Sequence, residues 1–211
     1  MKSKLSLQAD FAFDWARIDG TQISNLTEAD LISNLVPYYS LKLNYQHNDK
    51  WSFALLGQTK YYLFDTVDSR QTFDESNYTT NSFGIEAKRY YKSFSFWLQG
   101  IYKQYLEYTA PFINEIDMNT NWNPTVILGA DYEYKFNRKY SLGAALELSY
   151  LFSNDVINNG NSARVEIFAK RYFHRHSIGA AISYKALNKD SDFVEMKQKE
   201  LGLILSYHLQ L

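Results

Sequence analysis

Apolar and polar residues alternate with a period of two along ten stretches of this chain. In the first, Leu5, Leu7, Ala9, Phe11, Phe13 and Trp15 are interleaved with Ser6, Gln8, Asp10 and Asp14. Successive residues of a strand point to opposite sides, so this spacing makes one face greasy and the other polar. The pattern returns at Tyr39–Tyr45, Trp51–Leu63, Phe83–Tyr91, Phe94–Leu106 and Val126–Phe136. It continues at Tyr140–Phe152, Ala163–Phe173, Ile178–Tyr184 and Leu201–Leu211, with apolar residues at most of the alternate positions. No stretch of comparable length carries the helical period. Ten hairpin-linked strands with no linker between them predict one all-β unit over residues 1–211, a ten-stranded antiparallel up-and-down barrel.

The polar face of these strands is rich in charge. It carries Asp10, Asp14, Glu86, Glu107, Asp131, Glu133, Glu147, Glu166 and Glu200, together with Lys42, Lys60, Lys88, Lys103, Lys135, Arg164, Lys170 and Lys185. Trp97, Tyr62, Phe64, Ile101, Tyr105, Ile127, Phe168, Tyr172 and Ile204 share that face. A soluble barrel of lipocalin type would bury the apolar face around a ligand, whereas a membrane barrel turns it outward.

Three features favour the outward choice. The apolar face is banded: Trp15, Tyr39, Tyr61, Tyr102, Trp122, Tyr150 and Tyr184 approach one end, and Tyr45, Trp51, Tyr91, Phe94, Phe136, Tyr140, Phe173 and Tyr207 the other. Aromatic belts around an aliphatic zone match the two headgroup levels of a bilayer. Connections alternate in length, with tight turns near His47–Lys50, Tyr91–Ser93, Asn137–Lys139 and His174–Arg175. The intervening loops, read as Asp19–Ser33, Asp65–Ser76, Thr109–Asn121, Ser153–Asn161 and Asn188–Glu195, are longer. Finally, Arg89 and Arg171 on the apolar face both sit beside a tight turn, where a long cationic side chain reaches the interface.

Composition narrows the classes further. Aromatic residues make up 17% of 211, 18 of them Tyr, and no run of 18 apolar residues exists to form a membrane helix. With no cysteine, disulfides and thiolate metal sites are excluded. The chain enters its first strand almost at once, without an apolar targeting core. An exported barrel needs one, so a targeting segment or an upstream domain is expected to precede it.

The ending Leu205, Tyr207, Leu209, Leu211 resembles the alternating hydrophobic C-terminus of the Gram-negative outer-membrane β-barrel family, although that family more often closes on an aromatic residue. The resemblance covers the whole chain as architecture. It implies an integral outer-membrane location, with both termini and the tight turns toward the periplasm and the long loops outside. It also implies outer-membrane lipid and lipopolysaccharide as partners.

The long loops are acidic, with Asp19, Glu28, Asp30, Asp65, Asp68, Asp74, Glu75, Glu115 and Asp117, whereas the tight turns carry Lys50, Lys92, Arg138, Lys139 and Arg175 against Asp49. A net charge of -1 therefore conceals a dipolar distribution. Divalent cations beside lipopolysaccharide phosphates are candidate loop ligands. Enzymes of the resembled family use a histidine at or near the outer rim. Here the four histidines, His47, His174, His176 and His208, all fall at the tight-turn end, so no enzyme is expected. No phosphate loop, zinc spacing or nucleophile elbow occurs, so neither cofactor nor metal is expected, and nothing points to nucleic acid.

A barrel of this strand number is only slightly wider than one filled by side chains. Bulky residues and matched charges predict a largely filled, salt-bridged lumen. If the hairpin closes at Tyr91–Ser93, Lys88 lies opposite Trp97 within cation–π range. The expected role is a membrane anchor, scaffold or component of export or transport, working with a periplasmic partner or upstream domain. A narrow channel for small solutes or ions is the alternative, and an enzyme using loop carboxylates comes third.

Overall fold

A computed structural model describes residues 4–22, 28–63, 66–67, 77–109, 117–152, 159–190 and 194–211. Within them, the side chains of 20–22, 28–34, 66–67, 77, 107–109, 117–119 and 194 are outside the described set. In chain order the strands are β1 (Leu5–Gln22), β2 (Glu28–Asn48), β3 (Trp51–Leu63), β4 (Thr66–Val67), β5 (Asn77–Tyr91) and β6 (Phe94–Thr109), then β7 (Asp117–Lys135), β8 (Tyr140–Leu151), β9 (Asn159–Tyr172), β10 (His176–Asp190) and β11 (Val194–Gln210). Ten of these form the wall, and β4 is a two-residue ladder against Leu31 and Ile32 of β2.

Every wall strand pairs antiparallel with its neighbours in sequence, and β1 pairs with both β2 and β11. That last pairing closes the sheet, leaving no edge strand among the ten. The alternation of the sequence is the inside–outside alternation of the wall. Aliphatic residues that a soluble protein would bury are more than half exposed, among them Leu41 at 58%, Leu55 at 60%, Ile85 at 63% and Ile167 at 65%. They run as one girdle around the barrel, far beyond any patch that a water-soluble monomer exposes.

The tight turns have local causes. Asn48 Oδ1 accepts from the amides of Lys50 at 2.9 Å and Trp51 at 3.0 Å, and Asn137 Oδ1 repeats this with Lys139 at 2.7 Å and Tyr140 at 3.1 Å. Such side-chain mimicry of a backbone acceptor favours a turn over continued strand. Lys92, between β5 and β6, takes a left-handed φ of 55°.

The other end departs from the sequence expectation. β1 and β2 continue pairing as far as Thr21 and Glu28, β6 and β7 as far as Thr109 and Asp117, and β10 and β11 as far as Asp190 and Glu195. Glu28, Asp30 and Asp117 thus stand in strands rather than loops. Past the belt the side chains need not alternate, because both faces of a hairpin meet water, so periodicity underestimates the strand. Asp65, Asp68, Asp74, Glu75 and Glu115 lie outside the described residues.

Candidate functional site in the barrel lumen

The inward positions build a connected polar core from facing strands. At its centre, Lys60 Nζ on β3 donates to Asp14 Oδ2 on β1 at 2.6 Å and to Glu200 Oε2 on β11 at 3.0 Å. Tyr62 Oη donates to the other oxygen of Glu200 at 2.9 Å and Gln198 Nε2 does so at 2.7 Å, while Lys185 stands 3.7 Å away. The Lys60 ammonium also lies 5.0 Å from the Tyr38 ring centre. Asp14, Lys60 and Glu200 are each no more than 6% exposed. Since β3 and β11 are separated by β2 and β1 in the sheet, these bonds run across the bore as a chord.

The remaining lumen charges pair more locally. Lys42 meets Glu86 at 2.6 Å, and Gln99 donates to the same carboxylate at 2.8 Å. Lys88 meets Asp131 at 2.7 Å and sits 4.9 Å from the Trp97 ring centre, in the register Lys88–Trp97. Arg164 lies 2.8 Å from Glu166 and 3.7 Å from Glu147. Lys170 contacts Glu133 at 3.1 Å, and Tyr172 donates to the same group. Asp10 accepts from Ser40 at 2.7 Å and from Gln8 at 3.0 Å. Among the described residues Lys103 and Lys135 form no ion pair, and they lie over the rings of Tyr105 and Tyr172 at 5.1 Å and 5.0 Å. The side chain of Glu107 is outside the described residues.

Large inward side chains fit because the strand next door has none. Trp97 pairs with Gly129 and Phe168 with Gly143, and a Cβ on either glycine would overlap the facing ring. Ala12, Tyr38, Phe168, Ala181 and Ile204 form an apolar cluster beside the ionic one.

The end bearing the longer hairpins is pinched. Lys189 of β10 reaches over the bore to donate to the backbone carbonyl of Leu106 on β6. Tyr105, Leu151 and Leu187 pack together there, and β6 and β11, on opposite walls, approach within 8 Å between Cα atoms. Leu106, read from the sequence as lipid-facing, is only 2% exposed. Its strand bends into the bore at that level, which no local pattern announces. What remains open is a vestibule of about 910 Å³ at the tight-turn end, lined by Gln8, Lys88, Tyr90, Glu133, Tyr172 and His208 among others. Two smaller cavities of about 230 Å³ and 180 Å³ lie deeper in the bore.

Outside, Trp15, Tyr39, Tyr61, Tyr102, Tyr150 and Tyr184 are exposed in one belt, with Trp122 stacked on Tyr102 at 5.1 Å. Tyr45, Trp51, Tyr91, Phe94, Phe136, Tyr140, Phe173 and Tyr207 are exposed in the other. The aliphatic girdle lies between the two.

Solved structures match this arrangement. The outer membrane protease OmpT from Escherichia coli is similar with a TM-score of 0.60 and 10% identity, over 98% of this chain and 96% of that one. The chain has the fold of the outer-membrane β-barrels. The translocator domain of the autotransporter NalP from Neisseria meningitidis is also similar, with a TM-score of 0.50 and 12% identity over 99% of this chain and 89% of that one. No protein-family model and no curated sequence matches. The barrel therefore resembles these proteins in architecture, while its lumen has to be read from its own residues.

Several lumen residues escape a search for charge. Gln198, Gln99 and Tyr38 stand at inward positions and complete the polar core. Their parity along the strand is the signal that could have found them.

Proposed function

We propose that this protein is a non-enzymatic outer-membrane barrel with an occluded bore, serving as an anchor, scaffold or component associated with export or transport. The observation that carries the reading is the chord of Lys60, Asp14 and Glu200 through the middle of the lumen, at 2.6 Å and 3.0 Å. Ionic groups locked in mutual hydrogen bonds at almost no exposure offer a passing solute neither room nor a free charge. The pinch of Lys189 against Leu106 supports the same reading one level higher.

The likeness to a protease raises the enzymatic alternative. All four histidines lie at the tight-turn end: His47 and His208 near the termini of β2 and β11, His174 in a turn, and His176 at the start of β10. A general base of the usual kind is thus remote from the long-hairpin rim, where chemistry on exterior peptides or lipids would occur. The two deep cavities favour a second reading as a narrow channel, since they line up polar groups such as Ser40, Gln58 and Arg164.

Planar-bilayer recording on the purified chain tests the choice. The proposed barrel adds no reproducible unitary steps to the baseline. Discrete steps that scale with protein would refute the occluded bore and select the channel.

A further inference from the structure

The tight-turn end carries a ring of positive charge. Lys50, Lys92, Arg138, Lys139 and Arg175 are exposed on the turns themselves, against Asp49 as the turns' acid. Among the described residues none of these cations forms an ion pair. Just inside them, Arg89 and Arg171 stand on the lipid-facing side of the wall, among aromatic and aliphatic residues: Arg89 pairs with Trp51 and Phe96, Arg171 with Tyr140 and Ile178. The Arg89 guanidinium carbon lies 5.6 Å from the Trp51 ring, and that of Arg171 lies 5.6 Å from the Tyr140 ring and 5.1 Å from the Phe173 ring. His176 extends the second cluster by stacking on Phe173 at 4.8 Å.

A guanidinium held on the lipid face without a protein carboxylate needs a counter-charge from elsewhere. Its planar fork suits a phosphate, and the rings that flank it sit at headgroup level, where lipid phosphates are. We propose that this rim is a binding site for anionic phospholipid headgroups, with Arg89 and Arg171 as the phosphate ligands and the turn cations as the surrounding attraction. The site shares with the functional reading above only the embedding in a membrane, and it is indifferent to whether the bore conducts.

The test is native mass spectrometry of the full chain released from vesicles of equal parts phosphatidylglycerol and phosphatidylcholine, with folding checked by circular dichroism. The unaltered protein is expected to retain phosphatidylglycerol in clear excess. Arg89→Gln and Arg171→Gln should each lower that excess by about fivefold, the weight of one basic group near an anionic surface. Arg171→Lys, keeping the charge but not the fork, should fall between. If the arginine variants fail to fold, Lys50→Gln with Lys139→Gln on the exposed turns should still reduce the excess. Equal retention of both lipids by the unaltered chain, or an excess unmoved by the variants that fold, overturns the site. A conducting barrel that still prefers phosphatidylglycerol would refute the occluded bore alone.

Discussion

Replacing Lys60 by methionine probes the lumen most directly, because it removes the cation that two buried carboxylates share. Both acids are 4% exposed, so water cannot take over as a partner without entering the core. Breaking a buried ion pair from one side costs about 3–5 kcal/mol, mainly from the charge left behind. The structure says which charge that is. Glu200 keeps Tyr62 at 2.9 Å and Gln198 at 2.7 Å, whereas Lys60 is the one ion-pair partner of Asp14 among the described residues. Adding Asp14→Asn to Lys60→Met should therefore recover most of the loss, and adding Glu200→Gln much less. Equilibrium unfolding in urea, in detergent or vesicles, with tryptophan fluorescence as the probe, gives the free energies for this comparison. A loss below about 1 kcal/mol for Lys60→Met, or equal rescue by the two second-site changes, would refute the chord as an energetic unit.

Other expectations are simpler. Leu146→Arg, between the belts on the lipid face, should destabilise the inserted barrel by ~2–4 kcal/mol at mid-depth, while the same change at Phe136 beside a tight turn should cost roughly 0–1 kcal/mol; unfolding from vesicles measures both. Gly129→Ala would press a methyl group into the Trp97 ring and should cost about 1–3 kcal/mol, with a shifted tryptophan emission; a silent substitution would mean that the ring lies elsewhere. Lys88→Met should leave Asp131 with Ser95 as its remaining side-chain donor, at 2.7 Å, and destabilise the barrel less than Lys60→Met does, because Asp131 is only half-buried.

The wall was legible in the sequence wherever one face meets lipid. There the alternation is enforced, and the outward set from Leu5 to Leu211, Leu106 excepted, follows from parity alone. The tight turns fixed register as well, so the pairing of Lys88 with Trp97 follows from the closure at Lys92 and Ser93. Beyond the belts the constraint lapses, which is why Thr21, Asp117 and Asp190 extend strands that periodicity ends early. Which lumen charges meet is also hidden. Lys60 and Glu200 stand 140 positions apart, and only the closure of β1 onto β11 brings them together. Leu106, buried where Lys189 of a distant strand meets its carbonyl, has no neighbour in sequence that could signal this contact.

The glycines facing Trp97 and Phe168 make the bore a set of knobs with matching vacancies, and this decides how it could be altered. Enlarging a small residue jams the interior, while trimming a large one leaves a hole with nothing beside it to spread into the space. Anyone wishing to convert this barrel into a conduit would therefore begin with the two rings, and would find that each truncation hollows the wall across two adjoining strands at once.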